Sequence, residues 1–236
     1  MTRRRWIADE VSGNIAALTG SHAEHLSRVL RARVGQEFDI ANGNEVRRGR
    51  VIRIEAGRVE LELGDLVPAI AMPQIVLALS IFKFDRMEWA IEKCTELGVA
   101  QIVPVIAQRT ETHLAAAAAK RAERWRRIAR QAAEQSRRTS PPEISTPIKL
   151  KEALALPAEA RILLSESEER ITLKDALASH PAGRIALALG PEGGWTENEI
   201  KLFREAGWVS ASLGKAILRA ETAAIAAMAV VVSELQ

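Results

Sequence analysis

The sequence predicts an α/β fold, with a mostly parallel sheet following a small β-rich region. Three observations carry this. The apolar runs IVLALSIF (75–82), QIVPVI (101–106), RILLSE (161–166) and IALALG (185–190) alternate with segments of helical periodicity. That is the pattern of strands buried on both faces of a sheet. Before residue 70 the pattern is instead turn signals and alternation, with Val59, Leu61 and Leu63 spaced as in a half-buried strand. Finally, two loops, the glycine-rich Gly190-Pro191-Glu192-Gly193-Gly194 and the stretch opened by Gly214, each follow an apolar strand. Open α/β sheets bind ligands at that strand end.

In the N-terminal region, residues 22–33 read as a short helix with Leu26, Val29 and Leu30 on one face. Asn42-Gly43-Asn44 is a hairpin signal, and residues 64–73 read as a linker. Two domains are expected, 1–70 and 74–236. In the second, Asp85 and Glu88 form a capping-box pattern before a helix through Leu97, which Gly98 ends. A long helix is expected at 115–138, and shorter ones at 173–177, 196–207 and 221–235. A further strand is expected at 208–214. Ala223–Val232 is apolar nearly all round, so it is expected to be buried centrally or at a subunit interface.

Composition narrows the class. At 236 residues the chain can bury a good core. No apolar run reaches membrane-spanning length, and the basic start Arg3-Arg4-Arg5 is not followed by the apolar segment of a signal peptide. The single cysteine, Cys94, excludes an internal disulfide and a cysteine metal cluster. A cytoplasmic enzyme or binding protein fits best. Net charge is only +3, but residues 71–150 carry 13 basic against 8 acidic side chains and residues 151–236 carry 9 against 12. The basic middle fits an anionic partner such as nucleic acid, or equally a solvated helix face at Lys120, Arg124 and Arg127.

The loop at 190–194 carries Glu192, which repels phosphate, and lacks the Lys-Ser/Thr pair of a P-loop. Nothing matches G-x-G-x-x-G, so a nucleoside triphosphate or dinucleotide does not suit it. A ligand with an adenine-like ring and some positive charge suits it better. Thr196 and Glu199 form a capping box just after it. In the second loop, Ile217 and Leu218 suit the wall of a flat pocket, and Arg219, Glu221 and Thr222 precede an alanine-rich helix. Each of these three also has a local reading: an ion pair, a dipole partner and an N-cap. The two histidines of His22-Ala23-Glu24-His25 have no third or fourth ligand beside them, so no metal is expected.

LGPEGGWTENEI (189–200) and LGKAILRAETAAIAAMAV (213–230), in this order, resemble the RsmE family, the bacterial 16S ribosomal RNA uracil-N3 methyltransferases of the SPOUT superfamily. HLSRVLRARVGQ, FKFDRMEWAIEKCTELGVAQIVPVIAQRT and RRIARQAAEQSRR extend the resemblance along the chain. Trp195 departs from it, standing where the family pattern has Phe. The resemblance implies a PUA-like RNA-binding domain followed by a SPOUT domain with a C-terminal trefoil knot. It implies S-adenosylmethionine (SAM) as cofactor, 16S rRNA or the small subunit as partner, and a homodimer formed through the C-terminal domain. Leu164, Ser165, Glu166, Leu189, Gly190, Pro191, Glu192, Gly193, Gly194, Leu213, Gly214, Ile217, Leu218, Arg219 and Thr222 would line the cofactor site. Arg219 would stabilise the uracil anion, with Glu221 or Glu192 as proton acceptor or orienter. Arg5, His25, Arg28, Arg31, Lys83, Arg86, Lys93, Arg109, Gln135 and Arg138 would contact RNA.

Overall fold

The computed structural model describes residues 5–43, 45–68, 74–179 and 183–235. The chain divides into two compact units, 1–71 with 133–140, and 72–132 with 141–236. The last turn of the long helix Thr112–Gln135 belongs to the first unit.

The first unit is built on a six-stranded sheet. Its strands are β1 (Arg5–Ile7), β2 (Glu10–Ser12), β3 (Ile15–Thr19), β4 (Glu37–Ala41), β5 (Val46–Glu55) and β6 (Arg58–Val67), in the order β1-β4-β5-β6-β3-β2. All pairs are antiparallel except β1 with β4. Val59, Leu61 and Leu63 are buried, as their alternation requires, and pack with Leu18, Leu26, Phe38 and Trp6. Asn44 of the hairpin signal lies outside the described residues, while Gly43 beside it has φ +86°.

Two expectations are corrected here. The segment read as one helix over 22–33 is an α-turn, α1 (Gly20–Glu24), followed by a π-helical turn at His25–Val29. Leu30 N–H donates to His25 O, and Arg31 then turns left-handed at φ +50°, so the helix stops early and Val29 faces solvent. The linker read at 64–73 is strand β6 as far as Val67; residues 69–73 lie outside the described residues.

The second unit holds a wholly parallel sheet in the order β10-β8-β7-β12-β11-β13, with β9 also paired to β8. Its elements in chain order are β7 (Ile75–Ser80), α2 (Phe84–Glu96), β8 (Gln101–Ile106), α3 (Thr112–Gln135), β9 (Glu143–Ile144), β10 (Ile148–Lys149) and α4 (Leu150–Ala153). They continue with β11 (Ala160–Leu164), α5 (Leu173–Ala178), β12 (Ile185–Leu189), α6 (Glu197–Glu205), β13 (Val209–Ala211) and α7 (Ala220–Glu234). Strands β7 and β12 are buried at every residue, which is why they read as unbroken apolar runs. On one face Ile75, Leu77, Leu187 and Leu189 pack with α2, α3, α5 and α7 around Trp125. On the other, Val76, Ala78, Ala186 and Ala188 pack with Trp195, Phe203 and Trp208.

Helix α2 begins two residues earlier than its capping-box pattern suggested. Lys83 is the N-cap, without a side-chain cap, and Asp85 lies in the first turn, where its charge complements the helix dipole. Gly98, at φ +102°, ends that helix as expected. Helix α7 buries one stripe, Ala220, Ala224, Ala227, Met228 and Val231. Its other faces carry Ile225, Val230 and Val232, half-buried, and α2 exposes half of Trp89. Cys94 is fully buried, and burial pushes its thiol up to about 12. No helix among the described residues is long and apolar enough to cross a membrane.

Candidate functional site

Strands β11, β12 and β13 are neighbours, and each ends in a loop on the same, C-terminal edge of the sheet. Those three loops surround a cavity of about 230 Å³. Of the residues that the resemblance assigned to a cofactor site, Leu164, Ser165, Glu166, Leu189, Gly190, Pro191, Glu192, Gly194, Leu213, Gly214, Ile217 and Leu218 line it. Gly193, Arg219, Glu221 and Thr222 do not line it. Sequence reasoning missed Ser167, Trp195, Glu197, Ile200, Ser212, Ala216, Ala220 and Ala223. The signal for the last two was their i,i+3 spacing at the start of α7, which puts two small side chains on one face.

Backbone geometry shapes the glycine loop. A Cβ on Gly190 would lie 3.2 Å from Trp195 N and 3.3 Å from Gly194 Cα, where backbone cannot give way. Gly194 is left-handed at φ +69°, and a Cβ there would come within 3.0 Å of Glu166 Oε1. Gly194 N–H donates to Pro191 O at 2.8 Å, closing the turn. Thr196 caps α6 through the expected box: Glu199 N–H donates to Thr196 Oγ1 at 3.3 Å and Thr196 N–H to Glu199 Oε2 at 2.9 Å. Trp195 is buried and its indole N–H donates to Leu164 O at 3.1 Å, tying the loop to the end of β11. Phenylalanine lacks that donor. Trp195→Phe is therefore expected to cost roughly 1–3 kcal/mol, through one lost hydrogen bond and a partial void. Urea unfolding would measure it.

The carboxylates are placed unequally. Glu192 lines the cavity and accepts from Arg86 Nη1 at 3.3 Å. Glu221 is 2 % exposed and lies 3.9 Å from Arg86 Nε. Its Oε2 is buried with no hydrogen-bond partner among the described residues. Arg86 thus bridges the glycine loop and the first turn of α7. Arg219 is the N-cap of α7, exposed, with no side-chain cap bond and no ion pair among the described residues. A cation there opposes the helix dipole and displaces a Ser, Thr, Asp or Asn cap, so local stability does not explain it.

The expected RNA contacts are scattered between the two units. In the first unit Arg28 and Arg31 are exposed without ion pairs among the described residues, although Arg31 lies beyond the helix. Arg5 donates through Nη1 to Arg137 O, and His25 lies edge-on to Trp6 at 5.6 Å. His22 sits between carboxylates, with Nδ1 3.1 Å from Asp9 and Nε2 3.2 Å from Glu134, a structural setting. Gln135 is exposed, whereas Arg138 is buried, and burial pulls its guanidinium down to about 10. In the second unit Lys83 is exposed. Lys93 is paired with Glu92 and Glu96, whose hydrogen bonds raise its pKa. Arg109 donates to the glycine loop.

The cavity chemistry fits a cationic ligand with a flat apolar part. Leucine and isoleucine side chains form walls, glycine backbone is bare, and the charged lining residues are Glu166, Glu192 and Glu197. These residues fit SAM, with its adenine ring, sulfonium and ammonium, and do not suit a phosphate.

Comparison with known proteins agrees with this geometry. Residues 70–232 match the profile of the RNA methyltransferase domain. The ribosomal RNA small subunit methyltransferase E of Synechocystis is 35% identical over 218 residues, covering 90% of this chain and 71% of the relative. Its counterpart in Aquifex aeolicus is 28% identical, covering 96% and 97%. The crystal structure of that enzyme from Neisseria gonorrhoeae, bound to S-adenosyl methionine, superposes with a TM-score of 0.87 at 34% identity over 99% of this chain and 98% of the other. The acidic, glycine-walled cavity and these whole-length matches agree: the chain belongs to the RNA methyltransferase family, among the ribosomal RNA small subunit methyltransferases E.

Proposed function

We propose that this chain transfers a methyl group from SAM to N3 of one uridine in the 16S rRNA of the small ribosomal subunit, in the cytoplasm. The observation that carries the reading is the cavity at the ends of β11, β12 and β13, whose bare glycine backbone, apolar walls and carboxylates suit SAM. The choice of N3 of uracil rests on the family motifs at 189–200 and 213–230.

When bound, SAM supplies an electrophilic methyl group. The chain's residues do the rest. Gly190 and Gly194 let backbone approach the cofactor, and Leu164, Leu189, Leu213 and Leu218 exclude water from it. Arg219, the N-cap residue of α7 and without an ion pair among the described residues, stabilises negative charge on uracil O2 or O4 as N3 loses its proton. Glu192 lines the cavity and Glu221 does not, so Glu192 takes the N3 proton on its carboxylate. Glu221 acts as the orienter, from behind, through Arg86.

Residues 1–70 form a PUA-like RNA-binding domain and residues 74–236 a SPOUT domain with a trefoil knot. What supports the knot reading is the close pairing of the segments that follow β11 and β13: Ser165 N–H donates to Ala211 O, and Ser212 pairs with Thr172. The homodimer forms through α7, supported by its half-exposed apolar faces and the neighbouring Trp89.

Arg28 and Arg31 contact RNA phosphate. Reversing both to Glu is expected to weaken binding of small-subunit RNA by at least tenfold at low salt and to leave SAM affinity unchanged. Filter binding and calorimetry would measure the two. The reaction itself is tested with tritiated SAM and small subunits from cells lacking this activity. One methyl per subunit is expected, and no incorporation despite SAM binding would reject the substrate.

A further inference from the structure

The turn after β8, residues 107–110, holds the glycine loop from outside the cavity. Arg109 Nη1 donates to Gly193 O at 2.5 Å and lies 3.4 Å from Trp195 O. Gln108 N–H donates to Glu199 Oε1 at 2.7 Å. Glu199 is only 2 % exposed, and its other oxygen accepts from Thr196 N–H. Thr196 Oγ1 lies 3.0 Å from both Glu199 Oε2 and Gln108 Oε1. The turn is itself fixed, since Ala107 N–H donates to Thr110 Oγ1 at 3.1 Å and Thr110 Oγ1 donates to Ile81 O at 3.3 Å. Two features make these contacts more than surface decoration. Glu199 is a buried carboxylate whose two oxygens are split between the turn and the loop, so it joins them. Arg109 reaches backbone carbonyls on both sides of Gly194, the left-handed residue that shapes the cavity wall.

We propose that Arg109 and Glu199 are positioning residues for the cofactor loop, and that Arg109 serves this site instead of RNA phosphate. The proposal rests on the reading that the cavity takes SAM. Neither side chain lines the cavity. They act by fixing the backbone of Gly193, Gly194 and Trp195, so the cofactor meets a loop already in its bound shape.

Arg109→Ala separates this role from an RNA contact, because Arg109 is exposed and its loss removes no core packing. Three quantities are measured on the full-length variant and the wild type. They are S-adenosylhomocysteine affinity by calorimetry, native-state hydrogen exchange at Gly194 and Thr196 without ligand, and the salt dependence of RNA binding. The expected result is about a fivefold loss of S-adenosylhomocysteine affinity. Exchange at the two amides should quicken by a similar factor, and RNA affinity and its salt slope should stay as in wild type. Wild-type ligand affinity and wild-type exchange, with a salt slope reduced by about one, would overturn the proposal and make Arg109 a phosphate contact. If wild-type protein itself fails to bind S-adenosylhomocysteine, the SAM reading falls. The exchange rates still decide whether Arg109 holds the loop.

Discussion

Arg219→Ala is expected to lower the methyl-transfer rate by about 10²–10³-fold while SAM affinity stays within twofold of wild type. The size is that of losing one donor to an anionic uracil oxygen, the role proposed for Arg219. The selectivity follows from placement: Arg219 is exposed at the N-cap of α7, outside the cavity lining, so its loss leaves the cofactor walls intact. Folding is expected to hold or improve slightly, because the change removes a cation from the positive end of a helix dipole. Single-turnover kinetics with saturating SAM, beside calorimetry of SAM binding, would separate the two effects. A transfer rate within a few-fold of wild type would remove Arg219 from the chemistry.

Phe203→Ala is expected to destabilise the protein by about 3–5 kcal/mol. Phe203 is fully buried, edge-on to Trp195 at 5.0 Å and to Trp208 at 5.1 Å. Trp208 N–H also donates to Phe203 O, and the Trp208 indole donates to Leu154 O at 3.1 Å, so the cluster joins α6 to the segment after α4. Removing the central ring leaves a void under Trp195, whose indole bond to Leu164 fixes one side of the cavity. SAM affinity is therefore expected to fall as well, even well below the melting transition. Chemical denaturation gives the first quantity and calorimetry the second. Wild-type SAM affinity in a strongly destabilised variant would show that the aromatic cluster serves stability alone.

The parallel sheet was legible because β7 and β12 are buried on both faces, and a strand in that setting can carry only apolar residues. The glycine loop after β12 was legible for a related reason. Glycine at 190 and 194 is required by near backbone and by a left-handed φ, and both requirements mark the sequence directly. The early end of the N-terminal helix was not legible, since nothing local in HLSRVLRAR announces a π-turn or a left-handed Arg31. Strands β9 and β10 and helix α4 were missed because elements of two to four residues have no period to read. Charge was the least informative guide to role. Arg86, Arg109 and Lys93 look alike as basic residues in the sequence, yet the fold turns one to two carboxylates, one to backbone carbonyls and one to its own helix. Only long-range contacts, between residues 84 to 135 positions apart, make the first two distinctions.

The most direct test of the central claim is to locate the methyl group. Small subunits lacking the modification would be incubated with the purified protein and SAM, and the 16S rRNA digested with nuclease and read by mass spectrometry. The account predicts a single added methyl on N3 of one uridine, absent when the Arg219→Ala protein is used for the same time. A methyl on a ribose oxygen, or on a base other than uracil, would contradict it.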